Sequence, residues 1–353
     1  MDFSLTPEQV QLRDTVREFA AREVAPYIRD WDANGEFHPE ILYKMGELGL
    51  LGLPIPEQYG GAGMDYVALA LACEELEYVD TFMRVAMSVH VGLNSLALLQ
   101  WGTEDQKQRF LVPQAQGEKL GTFGLTEPNA GSDAGSIEST YVQDGDSYVL
   151  NGSKMWISLA AVADHFLVFA SYDRSLKHNG LTAFIIERGM PGFTTGTIKG
   201  KLGVRAGNTG ELAFNNVRIP IENRVGEEGE GFKIAMSCID QGRFTVGAGA
   251  VGGMASWAMR RAGNAKSLAG GAKSLASGAK SMASGGISAA QGAKRWAGSV
   301  KNGISAAKEA RDAGASKRQA ALAGARGTRD GNRSRKDDRR KYEERKKKGV
   351  QGS

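Results

Sequence analysis

The sequence predicts an α+β protein, because the spacing of its apolar residues changes once along the chain and its composition changes once more. Apolar residues recur at helical spacing through the first 120 residues, and the period becomes two from about residue 121. Near residue 253 the composition shifts to a basic mixture of Ala, Gly, Lys and Ser. These changes, with a return of helical spacing after about residue 225, predict four segments, at 1–120, 121–225, 226–258 and 259–353.

The first segment opens with a helix-start signal. Thr6 is the predicted N-cap, Pro7 takes the first helical position, and Gln9 can close a capping box with Thr6. Thr103 is predicted to cap a later helix. Apolar spacing predicts four further helices, over 39–48, 65–79, 83–101 and 104–114. The first domain is therefore expected to be all-helical.

The second segment reads as short strands bounded by Gly, Asn and Asp. Apolar and β-branched residues predict strands at 148–150, 165–170, 181–186 and 211–214. Strands this short at this spacing are typical of a β-barrel or a sandwich. Helical spacing returns at Gly229 and continues toward Met259.

The tail differs from the rest of the chain in charge and in complexity. From Met254 onward it has 24 Lys and Arg against 7 Asp and Glu, a net of +17, whereas the preceding residues have 20 against 33, a net of −13. Between residues 265 and 285 it repeats every seven residues, but each repeat carries glycine, which weakens a helix. A fluctuating helix or a disordered segment is expected, either solvated or in contact with a polyanion such as nucleic acid or an anionic membrane.

The cysteines, the histidines and the distribution of apolar residues indicate the cellular compartment and the kinds of site to expect. Cys73 and Cys238 are far apart in helical-looking segments, which favours reduced core thiols over a disulfide. The N-terminus has neither a basic region nor an apolar one, and no apolar run approaches the roughly 20 residues of a membrane span. We expect a cytoplasmic protein. The four histidines are isolated, so no metal site is expected.

The run from Phe123 to Asp133 is the most informative motif. It combines a small-residue turn with hydroxyls and backbone donors, and it resembles the flavin signature of the acyl-CoA dehydrogenases, G-[LIVM]-[ST]-E-x-x-[GSAN]-G-[ST]-D, without a mismatch. The resemblance implies FAD, bound by Phe123, Leu125, Thr126, Gly131 and Ser132. In this interpretation the Thr126 hydroxyl meets the pyrimidine edge of the flavin, and a thioester chain passes Gly131 and Ser132. The alternative is a Gly-rich turn with polar decoration.

The segment 151–158 resembles the second flavin segment of the same family. The resemblance implies that Trp156, Ile157 and Ser158 bind the flavin, with the Trp156 indole beside the ring and the Ser158 hydroxyl at the N5 edge. A ring that accepts hydride needs a donor near N5. The alternative is a hairpin with a core Trp156, since Asn-Gly is a common type I′ turn.

The residues after 239 resemble the start of the family's C-terminal domain. Asp240 and Arg243 match its D-x-x-R, which implies that they bind the acyl-CoA substrate together with Ser132; the alternative is a polar helix face. Some relatives place the catalytic base directly before this Arg, where this chain has Gly242, and others place it in a later Y-E-G-T segment that this sequence lacks. The catalytic residue is therefore left unassigned.

The resemblance, over residues 1–252, implies an all-helical N-terminal domain, a β-barrel middle domain and the first helix of a truncated C-terminal domain. It implies FAD-dependent α,β-dehydrogenation of an acyl-CoA thioester, impaired because the catalytic Glu segment is missing. Expected partners are acyl-CoA, an electron-transfer flavoprotein or similar acceptor, and a second copy of the chain in a homo-oligomer. The alternative is a non-catalytic flavin- or CoA-binding fusion protein with a polybasic interaction tail.

Overall fold

The computed structural model describes the backbone of residues 4–282 and the side chains of residues 4–259 and 261. Backbone contacts divide the chain into one unit that ends at Arg261 and a second that begins at Ala262. The first unit holds eight helices, one sheet and the opening of a ninth helix. The predicted tail at 259–353 lies, beyond Met282, outside the described residues.

The first domain is helical, as predicted. The capping boxes at Thr6 and Thr103 are both formed, because each threonine side chain accepts the N–H of the residue three positions on and that glutamine returns a bond to the cap. Three π-helical stretches interrupt the α-helices. The bounds are α1 Pro7–Phe19 with π-helix Ala20–Val24, α2 Ile28–Asn34, α3 Glu40–Glu47, α4 Tyr66–Val79, α5 Thr81–Met87, π-helix Ser88–Ser95, α6 Leu96–Trp101, α7 Glu104–Gln106, π-helix Lys107–Leu111 and α8 Val112–Ala115.

The continuous helical run Thr81–Trp101 corrects one expectation. It is 21 residues long, its most apolar window has a mean hydropathy of 1.4, and so by length and composition alone it could cross a membrane. However, 78% of that window is buried inside the protein. Its apolar side chains pack against the domain core, which accounts for the composition of this helix.

The middle domain forms an eight-stranded sheet. The hydrogen-bonded order is β6-β7-β3-β2-β4-β5-β8, with β1 parallel to β4. This order is a path from β6 to β8, and barrel closure stays a prediction. The bounds are β1 Gly121–Gly124, β2 Thr140–Asp144, β3 Ser147–Ser158, β4 His165–Ser171, β5 Leu181–Glu187, β6 Phe193–Thr197, β7 Thr209–Pro220 and β8 Arg224–Val225.

The burial of the strands shows where the core lies. All seven residues of β4 are buried, whereas burial in most of β7 alternates between buried and exposed or half-buried residues. An unbroken apolar strand is covered on both faces, and an alternating one has a face in water. After β8 the chain enters α9, Gly231–Met282, which continues beyond the predicted boundary at residue 258.

A buried polar joint links the helical domain to β1. His90 is fully buried; its Nδ1 accepts the Gly121 N–H at 2.9 Å, so its Nε2–H donates to the Gln114 carbonyl at 3.2 Å. The Asn94 amide donates to the Thr122 carbonyl at 2.6 Å. Burial lowers the pKa of His90 to about 4. These hydrogen bonds fix the position of the start of β1. They therefore also fix where the loop after β1 begins.

Candidate functional site

The structure brings the two predicted flavin segments side by side. The Met155 N–H donates to the Thr126 carbonyl at 2.9 Å, and the Thr122 hydroxyl donates to the Ser158 carbonyl at 2.6 Å. The loop that follows β1 therefore runs along the last five residues of β3. The Thr126 and Ser158 side chains are both half-buried.

Trp156 is displaced from the sheet by a β-bulge. Residue Met155 pairs with Glu211 and Ile157 with Gly210, so Trp156 is an extra residue in β3. Its φ is +64°, and 56% of it is exposed. A bulge re-aims a side chain, and a bulky residue at positive φ is strained. The interpretation of Trp156 as a core residue is therefore wrong, since the bulge presents the indole outward.

The other predicted ring-contacting residues are mainly part of the core. Leu125 is 5% exposed and Ile157 is 3% exposed, and both belong to the hydrophobic core. Phe123 is half-buried, with its ring centroid 5.2 Å from that of Phe169.

A buried ion pair, Glu127–Lys154, ties the two segments together. Lys154 Nζ lies 2.6 Å from Glu127 Oε1, and the side chains are 0% and 2% exposed. Burial lowers the pKa of Lys154 to about 8. Burial also acts to raise the pKa of Glu127, but the Lys154 charge and the hydrogen bonds it accepts outweigh this, and the pKa lies below its usual range. The pair is not evident from the sequence, in which the Glu lies inside the flavin motif and the Lys two residues before Trp156.

Of the predicted substrate residues, Ser132 lies in the loop that follows β1. Ser132 is exposed, and it lines a cavity of about 220 Å³ with residues outside the predicted site, among them Lys177, His178, Phe232 and Met236. Lys177 has a φ of +50°, a strained value for a residue with a side chain. This cavity lies between the 132–136 loop and the first turns of α9. Gly131 is exposed, with open space where a side chain would begin.

Asp240 and Arg243 lie further along α9. Arg243 Nη1 is 2.7 Å from Asp240 Oδ1, and both side chains are 71% exposed. Neither lines the cavity beside Ser132. Gly242, between them, is buried, and a Cβ there would lie 2.8 Å from Leu93 Cδ2. The inward-facing position of this turn thus carries no side chain.

Metal and thiol chemistry receive no support within the part of the chain that the structure describes. Among the described side chains, those of residues 4–259 and 261, no group of three or more His, Cys, Asp or Glu could bind a metal ion. Cys73 and Cys238 are free and buried, and burial raises the pKa of each thiol to about 12. A thiol with so high a pKa is a poor nucleophile at neutral pH.

Most of the first unit matches the models of two known domain families. Residues 6–118 match the model of the acyl-CoA dehydrogenase N-terminal domain, and residues 122–217 match that of the middle domain. The chain belongs to the acyl-CoA dehydrogenase family. Both matches end before α9, so the helix and the residues that follow it lie outside the matched domains.

Individual relatives agree with this family assignment. The chain is 47% identical over 252 residues to a short-chain specific acyl-CoA dehydrogenase of Clostridium acetobutylicum, covering 71% of this chain and 66% of the relative. A solved structure described as the electron transferring flavoprotein of Acidaminococcus fermentans matches with a TM-score of 0.70 and 45% identity, over 71% of this chain and 66% of that chain. This acyl-CoA dehydrogenase family member therefore spans just under two thirds of these relatives.

Members of this family are FAD-dependent flavoproteins, and a glutaryl-CoA dehydrogenase from Mycobacterium smegmatis was solved in complex with FADH2. That structure matches with a TM-score of 0.66 and 34% identity, over 70% of this chain and 62% of that chain. The residues of this chain fit such a cofactor. An outward indole at a strained bulge offers an aromatic face, and the neighbouring hydroxyls of Thr126 and Ser158 offer hydrogen bonds to its polar edge.

Proposed function

We propose that this chain binds FAD and a short-chain acyl-CoA thioester as an acyl-CoA dehydrogenase-like oxidoreductase. The observation that carries the proposal is the juxtaposition of Thr126 with the outward Trp156, which the Met155 N–H maintains. Thr126, Trp156 and Ser158 would hold the flavin ring, which when bound accepts a hydride from the β-carbon of the thioester. The bulge at Trp156 supports this assignment, since strained residues cluster at ligand sites.

The cavity beside Ser132 supports a thioester as the second ligand. Ser132 and Ser136 offer hydroxyls on one wall, and Phe232 and Met236 offer apolar contacts on the other. Lys177 lines this cavity and the neighbouring cleft, where Arg174 lies as well. The cationic side chains of Lys177 and Arg174 suit a ligand with a phosphate-bearing end, as CoA has, and Asp133 is the acidic residue that also lines the cavity. Asp240 and Arg243, which pair with each other in solvent, would act at most on an exposed part of the ligand.

We propose further that dehydrogenation by this chain alone is weak. Gly242 faces Leu93, on the helix whose Asn94 contacts β1, and it has no side chain with which to remove a proton. Asp240 is the nearest acid in sequence, but it is exposed and paired with Arg243. A placed general base contributes typically 10²–10⁴-fold to rate. Ligand binding and dehydrogenation can therefore be measured separately, and binding is expected without efficient turnover.

The alternative proposal is a flavin- or CoA-binding protein without turnover, with the basic tail as an interaction arm. This alternative uses the same ligand site as the dehydrogenase proposal and differs from it only in that no substrate is oxidised. An electron-transfer flavoprotein as acceptor, a homo-oligomeric state and a polyanion contact of the tail belong to the same set of proposals. Two free, buried thiols support a reducing compartment such as the cytoplasm.

Titration with FAD tests the binding half of the proposal. Wild-type protein should bind FAD, seen as a change in flavin fluorescence, and Trp156→Ala should abolish the change. Trp257→Ala is the matched control, since that indole is 61% exposed on α9 and lies outside the flavin segments. Anaerobic addition of short-chain acyl-CoAs then tests turnover through loss of the visible flavin absorbance. Equal FAD affinity of wild type and Trp156→Ala would reject the proposed ring site.

A further inference from the structure

The Glu127–Lys154 pair contacts both segments of the candidate flavin site. Besides Glu127, the Lys154 ammonium donates to the Leu125 carbonyl at 3.3 Å. The Lys154 ammonium therefore binds the residues immediately before and after Thr126. Met155, next to Lys154 in β3, holds the Thr126 carbonyl itself. Three consecutive loop residues are thus fixed to two consecutive strand residues.

The Glu127 carboxylate closes the loop that follows. It accepts the N–H of Glu138 and, at 3.1 Å, the N–H of Ser139. Glu138 lies eleven positions after Glu127, and Gly131 and Ser132 lie between them. One carboxylate therefore joins the two ends of the turn that carries both predicted ligand residues. On the other side of the pair, Lys154 lies two residues before the bulged Trp156.

Stability alone does not account for a pair in this position. Two charges with 0% and 2% exposure lose their hydration, and an apolar pair of similar volume is often as stable or more so. What an apolar pair cannot supply is direction, because it makes no hydrogen bonds to the Leu125 carbonyl or to the two N–H groups. The pair thus specifies the geometry of the loop at a cost in desolvation.

We propose that the Glu127–Lys154 pair is a positioning latch that holds Thr126, the Gly131–Ser132 turn and Trp156 in the arrangement that binds flavin. The proposal rests on the proposed FAD site and adds two buried residues that would act through the loop rather than on the cofactor itself. The latch acts through the loop: it orients the Thr126 hydroxyl and keeps the turn closed. Its loss should lower FAD affinity even where the fold is preserved.

The experiment separates positioning from structural support. The double variant Glu127→Leu/Lys154→Met replaces the latch by an apolar pair, and we expect a thermal midpoint close to wild type with FAD affinity at least tenfold weaker. The visible circular dichroism of bound flavin should change as well, because its environment is less ordered. Asp144→Asn is the matched control: it removes an exposed cross-strand pair of the same sheet, to Arg218 at 2.6 Å, and should leave both measurements unchanged.

A second variant keeps the test decisive if the apolar pair does not fold. Glu127→Gln retains the shape and an acceptor for the Ser139 N–H, but removes the charge that pairs with Lys154. Wild-type FAD affinity in either folded variant would overturn the latch while leaving the flavin site intact. Failure of wild-type protein to bind FAD would instead reject the proposed function and the latch with it. Weaker FAD binding in both variants, with Asp144→Asn unaffected, supports the latch.

Discussion

His90 should make the protein acid-labile at the joint between the helical domain and β1. In the unfolded chain a histidine binds a proton near pH 6.5, whereas burial lowers the pKa of His90 in the folded protein to about 4. Between these values the unfolded state binds more protons, so stability falls as pH falls. The full contribution is present above pH 6.5 and is lost by pH 4. His165, whose pKa burial also lowers, acts in the same direction.

The magnitude follows from the difference between the two pKa values. At 1.36 kcal/mol per unit, protonation linked to His90 removes about 3 kcal/mol of unfolding free energy on going from pH 7 to pH 4. Urea unfolding followed by tryptophan fluorescence at several pH values measures this change. His90→Gln cannot be protonated, so its loss of stability over the same range should be smaller by about 3 kcal/mol. His178→Gln is the control. An identical pH dependence in wild type and His90→Gln would refute the reasoning.

Two further predictions concern catalysis and substrate. Gly242→Glu combined with Leu93→Ala, which clears the side chain that an added Cβ would meet at 2.8 Å, should raise acyl-CoA-dependent flavin reduction by roughly 10²-fold or more. Gly247→Glu, on the same helix with open space around it, should not; equal gains would contradict a base role for position 242. Lys177→Ala should weaken CoA thioester binding about three- to tenfold at low salt, measured by calorimetry, and leave FAD affinity unchanged. Lys233→Ala is its control. Equal weakening of thioester binding in both variants would show that the overall positive charge of the protein matters, rather than Lys177 itself.

Local sequence signals predicted the parts of this protein that depend on neighbouring residues. The capping boxes at Thr6 and Thr103 need only residues three apart, and both are formed. The flavin signature at 124–133 needs only its own order of residues, and the comparisons agree with the family that it indicated. The strands at 165–170 and 181–186 were predictable because a strand's apolar run is local.

Other features were not predictable, because they depend on which segments meet. The bulge that presents Trp156 exists only in the pairing of β3 with β7, since the extra residue is defined by its partner strand. The π-helical stretch Ser88–Ser95 reads as ordinary helix in sequence. The lining of the cavity beside Ser132 by Phe232 and Met236 depends on how α9 packs against the 132–136 loop, which no motif encodes.

The sequence by itself determined the family and the order of helical and β segments. Each of these follows from residue type and local spacing. Only the tertiary structure decided that Glu127 and Lys154, 27 residues apart, share a dry interior in which each charge neutralises the other. Burial and pairing are properties of the assembled sheet. A carboxylate and an ammonium in a linear sequence look like solvated charges until folding removes the water around them.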